Sequence, residues 1–357
     1  MNPRFPTSLT YRAANTTRDN RGASVTYGHI VTPQASSRAA YGNILTPMVH
    51  AKGNANGRVL LVLAGAHGDE AEGIIALNRI IQNMHPADMD AGEIIIIPCA
   101  NIPAMLNNSR TSPLDDQDMN RVYPGHSKGT PTERMADFIL NHIIPVFGVT
   151  HVIDIHSGGK TLNMLPHVAY HTHDENWTYN QSIDPVDRRR DLANMLTTFK
   201  NIVVAQEPDM MGTLDFHVES QDIPFCYIES QGAGHSPRTH QVKQIEHGIR
   251  NVGVKLGIFN KGIAFHGPHV GKPTDMYIAH GSQMSHHGGL LELLVTVGDE
   301  VNKTDSLARI YHPHHPDLQT TMIYAETSGT IIALSNQTLI EPGDTLCTIA
   351  SKHPNKG

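Results

Sequence analysis

Val59-Leu60-Leu61-Val62-Leu63-Ala64-Gly65-Ala66-His67-Gly68-Asp69-Glu70-Ala71-Glu72-Gly73 reads as an apolar run, a glycine-rich turn and the start of a helix. A continuous Val/Leu run suits a strand covered on both faces of a parallel sheet. The turn that follows lies at the carboxyl edge of the sheet, where open α/β folds place their ligands. His67 and Glu70 stand three positions apart in that turn, so one turn of backbone brings them together as two zinc ligands lacking a third. With 24 His in the chain, about one such spacing arises by chance, and the pair needs context.

The surroundings supply it. Ile74, Ile75, Leu77, Ile80 and Ile81 recur at helical spacing and predict a helix over Ala71–Met84. Glu93–Pro98 is a second buried strand, so strand, helix and strand make a right-handed parallel crossover. Asn101–Gly129 is longer than the ~12–15 residues of an idle connection, which marks a functional segment. Thr130-Pro131-Thr132-Glu133 is a capping box opening a helix that Pro145 is expected to stop. Val149–Ile155 is a third apolar strand, ending at His156-Ser157-Gly158-Gly159. A helix near Arg188–Phe199, strands at Ile202–Ala205 and Pro224–Ile228, and a helix over Thr239–Leu256 complete an alternating pattern. The first 55 residues read as polar and turn-rich, with one strand at Tyr41–Val49. The fold class is therefore α/β, with a mostly parallel or mixed sheet flanked by helices.

Past residue 262 the pattern changes. Gly289–Ile310 and Gly329–Ile349 repeat one scheme: Gly, apolar run, Gly-Asp, apolar run. The halves resemble those of biotinyl/lipoyl carriers, but no Lys lies between Lys303 and Lys352 to be modified. The expected division is an α/β domain carrying the His67/Glu70 turn over 1–262 and a small all-β domain over 263–357.

A formal charge of −7 argues against nucleic acid or an anionic membrane as partner. Three distant cysteines, Cys99, Cys226 and Cys347, fit a reducing cytoplasm. The opening residues hold no apolar core of a signal peptide, and no run approaches the roughly 18 apolar residues of a membrane span. A small-molecule substrate is expected, and the chain is compatible with a homo-oligomer.

A hydrolytic zinc needs three protein ligands and an open position. His156, at the end of its own buried strand, is the natural third ligand beside His67 and Glu70. Asp154, two residues earlier, points to the same side and would orient an imidazole. Asp69, between the two turn ligands, reads as another orienting group. The long loop holds Arg110 and Arg121, whose guanidinium groups suit an anionic substrate, and Asn120 adds a neutral donor. Glu229, at the edge of an apolar strand and before a glycine-rich turn, suits a general base whose pKa burial raises. The clusters His286-His287 and His312-Pro313-His314-His315 lie on a strand or beside Pro, where a second metal site is not expected.

These motifs, in order and spacing, resemble the succinylglutamate desuccinylase/aspartoacylase family of zinc carboxypeptidase-like hydrolases. The residues that carry the resemblance are Gly65–Glu70, Asp118-Met119-Asn120-Arg121, Asp154–Gly159 and Glu229. It runs from about Tyr41 to Phe259 and is closest to the N-acetyl-diaminobutyrate deacetylases. It implies one zinc per chain on His67, Glu70 and His156, with Glu229 as base and acid. It also implies Arg110 at the carbonyl or oxyanion, and Asn120 with Arg121 on a substrate carboxylate. The expected reaction is hydrolysis of the amide of an N-acyl amino acid. A zinc carboxypeptidase acting on short peptides, or a non-catalytic ligand-binding relic of the fold, is the alternative.

Overall fold

The computed structural model describes residues 10–32, 43–171, 192, 195–196, 198–199, 202–206, 211–264 and 275–352. At its centre lies a sheet in the order Ile44–Lys52, Ala91–Ile97, Ala55–Ala64, His151–Ser157, Phe225–Ser230 and His167–His171. The four strands from Ala91–Ile97 to Phe225–Ser230 run parallel. Ile44–Lys52 and His167–His171 bound this group antiparallel. The sheet is thus mixed, with its parallel strands in the middle.

The apolar run beginning at Val59 owes its continuity to cover on both faces. Leu61 and Leu63 pack with Ile95, Ile97, Phe138, Ile139 and Ile143 on one side. Leu60, Val62 and Ala64 pack with Leu77, Ile80, Ile153, Ile155 and Ile249 on the other. Leu60 to Leu63 are all fully buried. The second layer comes from the helices Ala71–Gln82 and Thr239–Lys255, the first from Pro131–Phe138 and its continuation.

Thr130 caps that last helix as its motif requires: its hydroxyl accepts from Glu133 N–H, while the Glu133 carboxylate accepts from Thr130 N–H. Pro145 does not stop it. The chain widens into a π turn over Ile139–Ile143, regains α geometry over Ile144–Phe147, and ends at Gly148 with φ +60°. The wider turn accommodates a ring that would clash in a regular helix, so a left-handed glycine terminates the element instead.

The N-terminal part holds more strand than its composition suggests. Thr10–Arg18 and Ser24–Thr32 form an antiparallel hairpin that extends the sheet beyond Ile44–Lys52. Most of Thr10–Arg18 is exposed, and an edge strand without a buried face leaves little hydrophobic alternation to detect. Residues 41–42 of the strand expected at Tyr41–Val49, and most of the helix expected near Arg188–Phe199, lie outside the described residues. The strand Ile202–Gln206 stands where expected.

Beyond His167–His171 the sheet continues through Ile202–Gln206, Met276–Met284, Thr345–Lys352 and Gly329–Ser335. Met276–Met284 runs parallel to Ile202–Gln206, so the C-terminal strands extend the same sheet. A separate sheet of four strands includes Gly289–Leu293, Ser306–Tyr311 and Leu339–Ile340. The two Gly-Asp turns match closely, with Gly298 at φ +96° and Gly343 at φ +97°. No helix among the described residues is long and apolar enough to cross a membrane.

Candidate active site

Two glycines shape the turn that follows Ala55–Ala64. Gly65 adopts φ +69°, and a Cβ on Gly68 would run into the backbone carbonyl of Ala104. Gly68 N–H also donates to Ser109 O at 2.9 Å, which clamps the turn to the long loop. That loop is partly ordered by the helix Ile102–Asn107 and a 3₁₀ turn at Met119–Arg121. The turn thereby carries His67 and delivers Glu70 to the start of the helix Ala71–Gln82.

His67, Glu70 and His156 meet as the sequence predicts. All three are buried, and one ligand atom from each lies within 4.8 Å of the others. His67 Nδ1 is 2.8 Å from Glu70 Oε1, and His156 Nδ1 is 3.0 Å from Glu70 Oε2. Donors around one tetrahedral zinc sit roughly 3.3 Å apart, given bonds of about 2.0–2.1 Å, so the spacing is close to what the ion needs. Each imidazole is held from behind: His67 Nε2 lies 3.0 Å from Asp118 Oδ1, and His156 Nε2 lies 2.9 Å from Asp154 Oδ2. A carboxylate on the outer nitrogen fixes the tautomer that leaves Nδ1 as a lone-pair donor. The donor set, its spacing and its backing carboxylates all fit zinc.

Electrostatics bind the cluster tightly. Burial alone would raise the Glu70 carboxyl, but the two imidazoles outweigh it and hold Glu70 well below the usual carboxylate range. Burial likewise opposes charge on His156, yet Asp154 and Glu70 push its pKa well above the ordinary value. Asp118 is also lowered, since its bond to His67 and the nearby Arg110 overcome its desolvation.

Asp69 is not the orienting group its position suggests. Its Oδ2 accepts from Lys160 N–H at 3.2 Å, on the far side of the Gly158–Gly159 loop. Neighbouring side chains at a helix start point about 100° apart, so Asp69 turns away while Glu70 turns in. Asp118 holds His67 instead. Sequence reasoning missed that role because 51 residues separate the pair.

A cavity of about 260 Å³ opens over the cluster, lined also by Arg110, Asn120, Arg121 and Glu229. Arg110 donates from Nε to Asp118 Oδ2 at 2.9 Å, with Nη1 3.6 Å from Glu70 Oε1. Asn120 Oδ1 accepts from Leu214 N–H at 2.9 Å, so its amide nitrogen is the remaining donor. Arg121 Nη1 donates to Asn120 O at 2.6 Å. Glu229 sits on the strand Phe225–Ser230 in register with His156. Its Oε2 is buried without a hydrogen-bond partner among the described residues. Desolvation, aided by the negative charge of Glu70, pushes the Glu229 carboxyl up to about 8 against the pull of His156, His67 and Arg110. His171, Thr213, Asp215, Phe225 and Tyr227 line the cavity too. No local motif announces them.

Comparison with known proteins places this geometry in context. The model described as "Succinylglutamate desuccinylase/Aspartoacylase catalytic domain" matches residues 56–254. The chain is 31% identical over 337 residues to an N-alpha-acetyl-L-2,4-diaminobutyric acid deacetylase of Halomonas elongata, covering 94% of each protein. It is similar to a succinylglutamate desuccinylase from Silicibacter sp. TM1040, with 25% identity and a TM-score of 0.81 over 97% of this chain and 99% of that one. It also resembles the product-bound ectoine utilization protein EutE (DoeB) of Ruegeria pomeroyi, with 27% identity and a TM-score of 0.81 over 96% and 98% of the two chains.

Proposed function

The chain belongs to the succinylglutamate desuccinylase/aspartoacylase family, and from that premise we propose how its residues divide the work of an amide hydrolase. The enzyme is a deacylase that releases a carboxylic acid and an amino acid from an N-acyl amino acid. His67, Glu70 and His156 would hold one zinc ion. Bound there, zinc would polarise the scissile carbonyl and make the attacking water more acidic.

Glu229 is the general base. Burial, with the neighbouring Glu70, raises the proton affinity of the Glu229 carboxyl, which suits a group that takes a proton from water as the C–O bond forms. It then returns that proton to the nitrogen as the C–N bond breaks, so the amine leaves neutral. Arg110, fixed by Asp118, points its remaining guanidinium donors at the oxyanion. Arg121 and the Asn120 amide hold the free carboxylate of the substrate. The acyl group is proposed to be acetyl, the group named in the diaminobutyric acid deacetylase relative.

The observation that carries this reading is the shared cavity. Two imidazole Nδ1 atoms converge on Glu70 while an unpartnered carboxylate oxygen of Glu229 lines the same space. Its volume, about 260 Å³, favours a molecule the size of an acyl amino acid over a peptide chain. Cys99, Cys226 and Cys347 are buried and unbridged, in keeping with the cytoplasmic location we propose.

The test is zinc content together with hydrolysis of N-acetyl, N-succinyl and N-formyl amino acids. Glu229→Gln should keep its zinc and lose about 10²- to 10⁴-fold in kcat. Unchanged hydrolysis by that variant with zinc bound would overturn the role of Glu229.

A further inference from the structure

The backbone that carries Arg110 borders a second cavity, of about 230 Å³, lined among others by Asp69, Asn108, Gly159 and Lys160. Gly158 lines the cavity that Glu229 faces and Gly159 lines this one, so the loop after His156 lies between the two. Asn108 is exposed, and a segment beside open space is restrained by polar links rather than by packing. Two of those links are backbone bonds: Ser109 N–H donates to Ala104 O at 3.1 Å, and Ser109 O accepts from Gly68 N–H at 2.9 Å. A third comes from Lys160.

Lys160 is a junction. Its Nζ donates to Asn108 O, its backbone N–H donates to Asp69 Oδ2 at 3.2 Å, and its carbonyl accepts from Asn336 Nδ2 at 3.4 Å. Asn108 closes the helix Ile102–Asn107 at φ +50°, where carbonyls have run out of helical partners and a lysine can supply the missing donor. Asp69 belongs to the turn of His67 and Glu70, and Lys160 itself follows His156 by four residues. One residue thus ties the Arg110 segment to both strand ends that build the cluster. We propose that Lys160 is a positioning residue: its ammonium latches the segment Asn108–Arg110 and keeps the Arg110 guanidinium over His67, Glu70 and His156.

The latch differs from the anchor that Asp118 provides. Asp118 accepts from Arg110 Nε at 2.9 Å and so orients the guanidinium, but both residues belong to the same long loop. Lys160 comes from outside that loop and acts on its backbone. It is exposed and is not among the residues lining the cavity that Glu229 faces, so its effect on the reaction runs through Arg110. An exposed charge-assisted bond is weak, and the expected effect is correspondingly small. The task given to Arg110 rests on the deacylase reading, whereas the latch itself rests on the hydrogen bonds.

The experiment uses the zinc-loaded full chain. Lys160→Met keeps the aliphatic stem and removes the donor. Amide hydrogen exchange should quicken around Asn108–Arg110 in that variant and stay unchanged over Val59–Leu63. For an N-acetyl amino acid, kcat should fall about three- to fivefold, the size of one exposed charge-assisted bond. KM should stay nearly constant, because Asn120 and Arg121 are untouched. Lys160→Arg, which restores a donor, should recover both exchange and kcat. In an Arg110→Ala background, Lys160→Met should lower kcat no further, since a latch acts through the group it holds. Zinc content and thermal midpoint should match the wild type, and a drop in either would assign Lys160 to the fold rather than to Arg110. Unchanged exchange, unchanged kcat, or an equal loss without Arg110 would overturn the latch and leave the deacylase reading intact. Absence of hydrolysis in the wild type would strike that reading itself, while the exchange rates would still decide the latch.

Discussion

Asp118 Oδ1 lies 3.0 Å from His67 Nε2, and the same carboxylate accepts Arg110 Nε through its other oxygen at 2.9 Å. One side chain therefore aims an imidazole of the proposed metal site and the guanidinium proposed to meet the oxyanion. Asp154 has the simpler task of holding His156. Removing an outer carboxylate typically lowers metal affinity about 10- to 100-fold. Both Asp118→Asn and Asp154→Asn should show that loss in a competitive chelator titration. At saturating zinc Asp154→Asn should regain most of its kcat, while Asp118→Asn should stay depressed because Arg110 has lost its anchor. Equal recovery of the two variants would remove Arg110 from the account.

Arg110→Ala tests that guanidinium directly. It should retain zinc and lose about 10²- to 10³-fold in kcat, the usual effect of deleting one oxyanion donor. Arg121→Ala should instead raise KM for acyl amino acids and leave a carboxylate-free amide analogue unaffected. Steady-state kinetics on the two substrate types separates these outcomes.

Gly68→Ala should damage the metal site before it damages the fold. The added methyl would meet the Ala104 carbonyl, and the clash pushes apart the turn that carries His67 and the helix Ile102–Asn107. Zinc affinity is expected to fall by at least tenfold, the lower end of the effect of disturbing a ligand's support. Calorimetry of the zinc-free protein should show a smaller loss of stability.

Acid stability has an identifiable contributor on the strand beside Glu229, outside the His67, Glu70 and His156 cluster. His167 is fully buried, and its Nδ1–H donates to Leu165 O at 2.8 Å. Burial lowers its pKa from 6.5 to about 4, only partly opposed by that hydrogen bond. The unfolded chain therefore binds a proton below pH 6.5 that the folded chain refuses until about pH 4. The stabilisation is complete above the unfolded pKa and is lost as pH falls through the window, to a limit of roughly 3 kcal/mol. Denaturant titrations between pH 7 and 4 should show a shallower decline in His167→Leu than in the wild type.

The cluster of His67, Glu70 and His156 was legible because its residues sit where buried strands end. Leu60 to Leu63 and Ile153 to Ile155 announce strands covered on both faces, and His67, Glu70 and His156 follow at their carboxyl ends. The capping box at Thr130 was legible because all its parts lie within four residues. Pairings across long separations were not. Asp118 finds His67 through space, and His171, at the end of a strand, meets Asp215 on the helix Leu214–Glu219. The step from Ile202–Gln206 to Met276–Met284 leaves no trace in local periodicity, since strand pairing depends on partners that the strand itself does not encode.

The strand Gly329–Ser335 supports the cavity without supplying any reacting group. It pairs with Leu162–Met164, two of whose side chains line the cavity, and Ile332 O accepts from Leu165 N–H at 2.8 Å. The C-terminal strand thus reaches the cavity wall through Leu162–Met164, although it is distant in sequence from the turn that carries His67.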